Sequence, residues 1–208
     1  MKISIKTTTL LALALNVCTA TAATITLGGF TFDTTAFPTS ANFLSGGPPS
    51  LSFPTTGNIN SDLLKATDSD LTSYIFGTPV DFTVTFGNAA LQNRASADLV
   101  IFELGVPDDV SVKLGATTKT YLTVNTGFTA AGFNVNAIAI DLSDFGIASN
   151  ALVSMIEVDN ASPATGSASI DAIGGLSTAV PEPAMFVCLA GALVLLGLAR
   201  RRRGGARN

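Results

Sequence analysis

The chain has 208 residues, of which 47% are hydrophobic and 12% are charged, and it contains no histidine and no tryptophan. All 15 acidic residues lie between positions 33 and 182, where only four basic residues occur, so this part of the chain is about 11 units negative and excludes nucleic acid and anionic lipid as charge-driven partners. Because the only cysteines are Cys18 and Cys188, near the two ends, the body also lacks a Ser-His-Asp site, a Cys-His site and a His or Cys zinc site.

The first 23 residues predict a cleaved secretory signal peptide. Lys2 and Lys6 precede an apolar stretch over residues 10–17, and the Ala-Thr-Ala of residues 20–22 is a small-x-small cleavage site. We expect signal peptidase to cut after residue 22 or 23. A lipoprotein signal that uses Cys18 is the alternative, but the preceding segment, Leu15-Asn16-Val17, places a bulky residue where such signals usually have Gly or Ala.

The body, residues 24–178, is predicted to be all-β. Residues 80–86 alternate apolar and polar side chains, which is typical of a half-buried strand. The unbroken apolar run at 99–102 favours a strand, residues 98–104, that is covered on both faces. Further candidate strands lie at residues 24–32, 110–114, 120–125, 136–142, 152–158 and 168–173. Short strands at this spacing predict a single β-sandwich of jelly-roll type, with its phenylalanines in the core and a long loop over residues 42–70.

Several carboxylates of the body are candidates for a calcium site. Asp68 and Asp70 have a D-x-D spacing, and Glu103 and Asp171 lie in predicted strands, where a buried carboxylate must be paired or bound to a metal. Calcium takes six to eight oxygen ligands, so we hypothesise that some of these four residues share one ion. A solvated turn is the alternative interpretation for the D-x-D segment.

The same carboxylates leave an enzyme open as the alternative. A glycosidase needs two carboxyl groups about 5 to 10 Å apart, and Glu103, Glu157 and several aspartates could supply them. Nothing in their spacing selects one pair. Ser111 and Lys113 share a strand face without forming a recognisable dyad, and aromatic residues suited to stacking on sugars are few.

The C-terminal residues 179–208 combine a short apolar helix with a basic end. Residues 184–199 carry no charge and would span roughly 24 Å as a helix, somewhat less than a hydrocarbon core of about 30 Å. A buried core helix is the alternative, but four adjacent positive charges are not expected directly after a core helix. The four arginines are Arg200, Arg201, Arg202 and Arg203. By the positive-inside rule, we expect them to keep the C-terminus in the cytoplasm. Pro181 and Pro183 favour an extended segment before the membrane.

This ordered tail, Pro181-Glu182-Pro183 followed by the apolar helix and the arginines, resembles the PEP-CTERM sorting signal of bacterial exosortase substrates. The resemblance implies that Pro181, Glu182 and Pro183 are the processing motif of an exosortase-type transpeptidase. It also implies a transient inner-membrane anchor, followed by delivery to the cell surface or extracellular matrix of an exopolysaccharide-producing Gram-negative bacterium.

Three segments of the body, residues 93–103, 139–146 and 169–173, are similar to exported jelly rolls akin to galactose-binding domains. This resemblance implies carbohydrate or structural binding and commonly a calcium ion that stabilises the sandwich. We therefore expect a non-catalytic structural or carbohydrate-binding matrix component with exopolysaccharide as its partner. The alternative is a secreted glycan-active hydrolase that uses a carboxylate pair.

Overall fold

A computed structural model describes residues 24–45, 50–52, 74–76, 80–87, 90–162 and 166–176. The described residues belong to one compact unit of the chain. Their regular structure consists of strands and one short 3-10 helix, which confirms the predicted all-β class of the body. Within these ranges, no helix has the length and apolar character needed to cross a membrane. The expected signal peptide and the expected C-terminal helix lie outside the described residues.

The described strands are numbered in chain order. They are β1 (Thr24–Leu27), β2 (Phe30–Asp33), β3 (Ser40–Ser45), β4 (Ser50–Ser52), β5 (Tyr74–Phe76), β6 (Asp81–Thr85), β7 (Leu91–Gln92), β8 (Leu99–Leu104), β9 (Asp109–Leu114), β10 (Thr117–Leu122), β11 (Val124–Ala130), β12 (Phe133–Ile140), β13 (Leu152–Val153), β14 (Met155–Asp159), β15 (Ala161–Ser162), β16 (Gly166–Ser167) and β17 (Ile170–Gly175). The 3-10 helix, η1, covers Leu142–Phe145.

Two larger antiparallel sheets form the centre of the body. One has the strand order β10-β9-β14-β6-β3, and the other has the order β11-β12-β8-β17. A single core cluster contains Phe82, Val112 and Ile156 from the five-stranded sheet together with Ile101 and Ile138 from the four-stranded sheet. Because one cluster takes side chains from both sheets, the sheets pack face to face.

The outer face of the four-stranded sheet is covered as well. Strands β1 and β2 form an antiparallel hairpin, and its Leu27 and Phe32 pack with Phe37, Phe102 and Ala172 in a second core cluster. All six residues of β8 are consequently buried. The prediction of a strand covered on both faces is confirmed. Because the β1–β2 hairpin covers its second face, the strand has an unbroken apolar run.

Strand β6 follows the sequence pattern closely. Phe82 and Val84 are buried in the core between the sheets, while the alternating Asp81, Thr83 and Thr85 are half-buried. The strand occupies an inner position of its sheet, paired with β14 on one side and β3 on the other. An alternating sequence is expected for a strand with only one face on the core.

Three predicted strands are each divided in the structure. Residues 24–32 form the β1–β2 hairpin because Gly28 and Gly29, with φ of +51° and +86°, make a two-residue turn. Residues 120–125 divide at Thr123, where the chain leaves the five-stranded sheet at the end of β10 and enters the other sheet as β11. Residues 152–158 divide at Ser154 between β13, which pairs with β7, and β14.

The predicted long loop over residues 42–70 is wrong for the residues that the structure describes there. Residues 42–45 belong to β3, which pairs with β6, and Ser50–Ser52 form β4, which pairs with β5. Backbone pairing to a neighbour stabilises these strands without a long apolar run, and Ala41 is the buried side chain of β3. The rest of the predicted loop lies outside the described residues.

Candidate functional site

Glu103, one of the predicted calcium ligands, is a buried carboxyl group between the two sheets. It lies in β8 and is 1% exposed. By strand alternation it shares the inner face of Leu99 and Ile101, which belong to the core between the sheets. Charged groups are rarely left in such a position without partners, so its hydrogen bonds determine what it can do.

One oxygen of Glu103 holds two connecting segments together. Its Oε2 accepts a hydrogen bond from the Thr123 hydroxyl and another from the backbone N–H of Asp108, at 3.2 Å. The same N–H lies 3.0 Å from the Thr123 hydroxyl oxygen, and the Thr123 N–H donates to the Asp108 carbonyl at 3.0 Å. Glu103 therefore joins the β8–β9 connection to the point where the chain crosses between the sheets.

Burial raises the pKa of Glu103 from its usual value of 4.5 to about 7. The hydrogen bonds from Thr123 and from the Asp108 backbone oppose this rise, whereas the nearby Asp108 charge adds to it. The second oxygen, Oε1, is buried and has no hydrogen-bond partner among the described residues. Glu103 is thus divided between its neutral and charged forms near pH 7.

Asn136 and Asp171 lie on the strands that flank Glu103. Asn136 is the cross-strand partner of Glu103 on β12, and its buried amide has no hydrogen-bond partner within the described part of the chain. On the other side, Ile170 of β17 is the partner of Glu103, and Asp171 occupies the irregularity before Ala172. Asp171 is also buried. The structure therefore brings two of the four predicted calcium ligands onto adjacent strands.

These residues do not by themselves fit a calcium ion. Across the described ranges, no group of three or more His, Cys, Asp or Glu side chains is placed to hold a metal. Calcium takes six to eight oxygen ligands, and Glu103 already uses one oxygen in protein hydrogen bonds. Asp68 and Asp70 lie outside the described residues, so a calcium site made of all four groups stays a prediction.

Asp98 has a structural role. This buried carboxylate precedes β8 and accepts a hydrogen bond from the Arg94 N–H at 2.9 Å and another from the Leu142 N–H at 3.0 Å. Its own N–H donates to the Ile140 carbonyl at 2.8 Å. Asp98 therefore fixes the approach to β8 against the end of β12 and the start of η1.

The carboxylates around η1 are engaged in a similar way. Asp141 caps η1 by accepting a hydrogen bond from the Ser143 N–H at 2.8 Å, and hydrogen bonds from Ser143 lower the pKa of Asp141. Asp144 accepts a hydrogen bond from the Tyr121 hydroxyl at 3.0 Å. Burial, with Asp144 adding to it, raises the pKa of Tyr121. These contacts connect η1 to β10.

Glu157 does not form a catalytic pair with Glu103. Its two oxygens lie 2.9 and 3.0 Å from the Lys113 ammonium group on the neighbouring strand. Because Ile156 and Val158 point into the core, Glu157 lies on the outer face of the five-stranded sheet. Glu103 lies between the sheets, so the two carboxylates do not face one cleft. Ser111, which shares a strand with Lys113, has its hydroxyl group hydrogen-bonded to the hydroxyl group of Thr120 at 2.8 Å.

Two shallow grooves lie beside the β11–β12 hairpin. The first, with a volume of about 330 Å³, is called the β11 groove and is lined by Gly29, Phe30, Val124, Asn125, Thr126 and Phe128, among others. The second, of about 480 Å³, is lined by Val106, Asp108, Phe133, Asn134, Ser167 and Ser169, among others. Glu103 lines neither groove. The exposed rings of Phe128 and Phe133 show that the expectation of phenylalanines in the core is wrong for these two residues.

Comparison with known proteins adds no further functional residue. No protein-family model matches the chain, and no sufficiently similar sequence is found among curated proteins. The expected sorting residues lie outside the described ranges: Pro181, Glu182, Pro183, Arg200, Arg201, Arg202 and Arg203. Function is therefore inferred from the geometry of the body and from the sequence patterns at the two ends.

Proposed function

We propose that the chain is an exported, non-catalytic protein of the cell surface or extracellular matrix, with a structural or carbohydrate-binding role. The main support for this proposal is that carboxylates of the body form hydrogen bonds and an ion pair that stabilise the fold. Asp98 and Asp141 accept backbone N–H groups, and Glu157 is bound to Lys113. A glycosidase needs two carboxyl groups facing one substrate, and these groups are committed elsewhere.

The charge of the body supports a neutral partner. Between residues 24 and 180 there are 14 acidic and four basic residues, so polyanions would be repelled. A hydroxyl-rich exopolysaccharide carries no such penalty and offers hydrogen-bonding groups over its whole length. We therefore take exopolysaccharide as the proposed partner in the matrix.

The route to the surface is proposed from the two ends of the sequence. The signal peptide pattern of residues 1–23 supports export, and the tail's resemblance to PEP-CTERM signals supports processing by an exosortase-type transpeptidase at residues 181–183. The apolar residues 184–199 would anchor the precursor in the inner membrane until it is cut. Loss of such a tail would leave a mature protein without a membrane span, as in GPI-anchored proteins.

A jelly-roll β-sandwich is proposed as the finer description of the fold. The repeated passage of the chain between the sheets supports it: β6 and β9 lie in one sheet while β8, which precedes β9 in the chain, lies in the other. Such a scaffold leaves loops and edge strands free for binding, while its core is held by packing.

A glycan-active hydrolase is the second candidate. The raised pKa of Glu103 is a property of a general acid. Glu103 is buried between the sheets and lines neither groove, which argues against that role because a general acid must lie within hydrogen-bond reach of the substrate.

A glycan-binding array combined with a hydrolysis screen tests the proposed role. The mature exported protein is applied to immobilised neutral and acidic glycans, and the same glycans are incubated with it and assayed for new reducing ends. Binding of neutral glycans without turnover is the result expected for a carbohydrate-binding protein. Turnover would contradict the non-catalytic assignment, and an absence of both would leave only the structural role.

A further inference from the structure

The outer face of the β11–β12 hairpin carries aromatic side chains that the core does not bury. Phe128 in β11 is 53% exposed and Phe133 in β12 is 42% exposed. Six other phenylalanines of the described residues are buried: Phe32, Phe37, Phe82, Phe86, Phe102 and Phe145. Exposed aromatic rings forgo part of the free energy that burial would provide, so two on one hairpin mark a candidate binding surface.

Phe128 and the β1–β2 turn lie next to each other in the lining of the β11 groove. A Cβ atom at Gly29 would lie 3.2 Å from the Phe128 ring, so the glycine allows the turn to approach the ring closely. Val124 and Phe30 extend the apolar lining, and Asn125 and Thr126 add polar groups. The cleft has a volume of about 330 Å³, at the lower end of the range typical of small-ligand pockets.

The polar side chains of the groove are held in fixed positions. Asn125 Oδ1 accepts a hydrogen bond from the Gly127 N–H at 2.7 Å, which leaves the two N–H donors of its amide for a ligand. The Thr126 hydroxyl donates to the Val135 carbonyl at 2.7 Å, which ties this part of β11 to β12. An aromatic wall beside a rigid amide therefore lies along β11, the edge strand of the four-stranded sheet.

We propose that the β11 groove binds a neutral polysaccharide, with the apolar face of one sugar ring stacked on Phe128 and a hydroxyl group accepting from Asn125. None of the residues that line the groove is charged, although the body around it is strongly acidic. A sugar ring offers both an apolar face and hydroxyl groups, which match this lining. The site depends on the carbohydrate-binding role proposed above and assigns it to particular residues.

A second copy of the chain fits the groove less well. Stable protein interfaces use about 20 to 30 residues on each side, whereas the groove is lined by eight. A charged ligand would find no opposite charge in the lining. The groove is instead of a size that accepts one sugar unit of a longer chain.

Substitutions of Phe128 and Asn125 test this site in the full-length mature protein. Binding to dextran, galactomannan and xyloglucan is measured by affinity electrophoresis and titration calorimetry, with alginate as the acidic comparison. We expect Phe128→Ala to weaken binding of the preferred neutral polysaccharide at least tenfold and Phe128→Tyr to retain it. Asn125→Asp keeps the acceptor for Gly127 but removes both donors and adds a charge, so we also expect weaker binding.

Met155→Ala is the matched control, because Met155 is also 53% exposed but lies on β14 in the other sheet. We expect it to bind as the unchanged protein does. Thermal unfolding of each variant within a few degrees of the unchanged protein shows that its fold is preserved.

Each other outcome overturns the site in a distinguishable way. Equal binding by the unchanged protein and Phe128→Ala would overturn the β11 groove and leave the carbohydrate-binding role standing. Failure of the unchanged protein to bind any of the polysaccharides would overturn both. Self-association that is lost in Phe128→Ala, without polysaccharide binding, would make this surface an interface between copies.

Discussion

At the scale of single residues, the two oxygens of Glu103 have different environments. Oε2 accepts hydrogen bonds from Thr123 and Asp108, whereas Oε1 is buried without such a partner in the described part of the chain. Donors at Oε2 favour the charged carboxylate, and burial of the whole group favours the neutral acid. The pKa of about 7 shows that burial is the larger effect. Ionising this group consequently costs folding free energy near neutral pH.

We expect the stability of the protein to fall as the pH rises from 5 to 8. The folded pKa of Glu103 is about 7, above its usual 4.5, so the folded state binds more protons than the unfolded state between these values. The stabilisation is full below pH 4.5 and is lost as the pH rises through 7. The full contribution is about 3 kcal/mol, since each pKa unit corresponds to about 1.36 kcal/mol, and about 2 to 3 kcal/mol of it is lost between pH 5 and pH 8.

Urea unfolding at pH 5 and pH 8 measures this effect. Glu103→Gln should remove most of the difference between the two pH values. Asp141→Asn is the control, because the lowered pKa of Asp141 makes its contribution constant above pH 3.8 and confines the change in that contribution to lower pH, so it is equal at pH 5 and pH 8. Parallel pH dependence in the unchanged protein and Glu103→Gln would contradict the assignment.

We expect Asp98 to contribute more to the stability of the protein than the partly exposed ion pair between Glu157 and Lys113. Asp98→Ala leaves the N–H groups of Arg94 and Leu142 without their acceptor, at a cost of about 2 to 5 kcal/mol. Asp98→Asn keeps one acceptor oxygen and should lose less. Glu157→Ala breaks only the partly exposed contact with Lys113 and should cost less than about 1 kcal/mol.

Chemical denaturation of these three variants, at one pH, gives their order of stability. The predicted order is Glu157→Ala, then Asp98→Asn, then Asp98→Ala as the least stable. An Asp98→Ala variant as stable as Glu157→Ala would show that other groups satisfy the two N–H donors.

At the scale of elements, the β1–β2 hairpin depends on a close contact with β17. A Cβ atom at Gly174 would lie 2.7 Å from a ring carbon of Phe32, shorter than real side-chain contacts allow. We expect Gly174→Ala to destabilise the protein by about 1 to 3 kcal/mol, because the hairpin would have to shift outward.

A double-mutant cycle with Phe32→Leu, followed by chemical denaturation, checks this contact. The smaller side chain makes room for the added methyl group, so the double variant should lose less stability than the sum of the two single variants. Strict additivity would mean that Phe32 and residue 174 do not interact.

Strands could be predicted from sequence where burial and alternation agree. The pattern of residues 80–86 indicates β6 because one face of that strand lies on the core, and the run at 99–102 indicates β8 because both faces are covered. Around Thr123 the apolar residues are misleading, since Leu122 and Val124 are exposed. Leu122 ends β10 and Val124 begins β11, and these strands belong to different sheets. The division at Thr123 depends on which strands β10 and β11 pair with, and the local sequence does not show that pairing.

At the scale of the whole molecule, the surroundings of Glu103 assemble from distant parts of the chain. The sequence correctly selects Glu103 and Asp171 as carboxylates in strands, and pairing of β8 with β17 makes them neighbours. Thr123, 20 residues away, and Asn136 join them through other elements. No local pattern marks these two residues, nor does composition show that Phe128 stays exposed.

The proposed sorting route predicts a precursor that depends on Pro181 and Pro183. In the proposed tail, proline at these positions would favour an extended segment before residue 184, in a form that a processing enzyme can bind. Alanine would allow the helix expected over residues 184–199 to continue into the motif, so we expect the double Pro→Ala variant to accumulate as uncut precursor in the membrane fraction.

Pro107→Ala, an equivalent change at an exposed position of the body, is the control and should be processed normally. Fractionation with immunoblotting gives the location and size of each variant, and mass spectrometry of the mature C-terminus shows whether the tail is kept, cut away or replaced by a linked group. If the double variant reaches the surface at its normal mature size, residues 181–183 are not the processing motif. A mature C-terminus that keeps the whole tail would instead make the arginine cluster and the apolar segment a simple anchor, and the acidic body would work attached to the membrane.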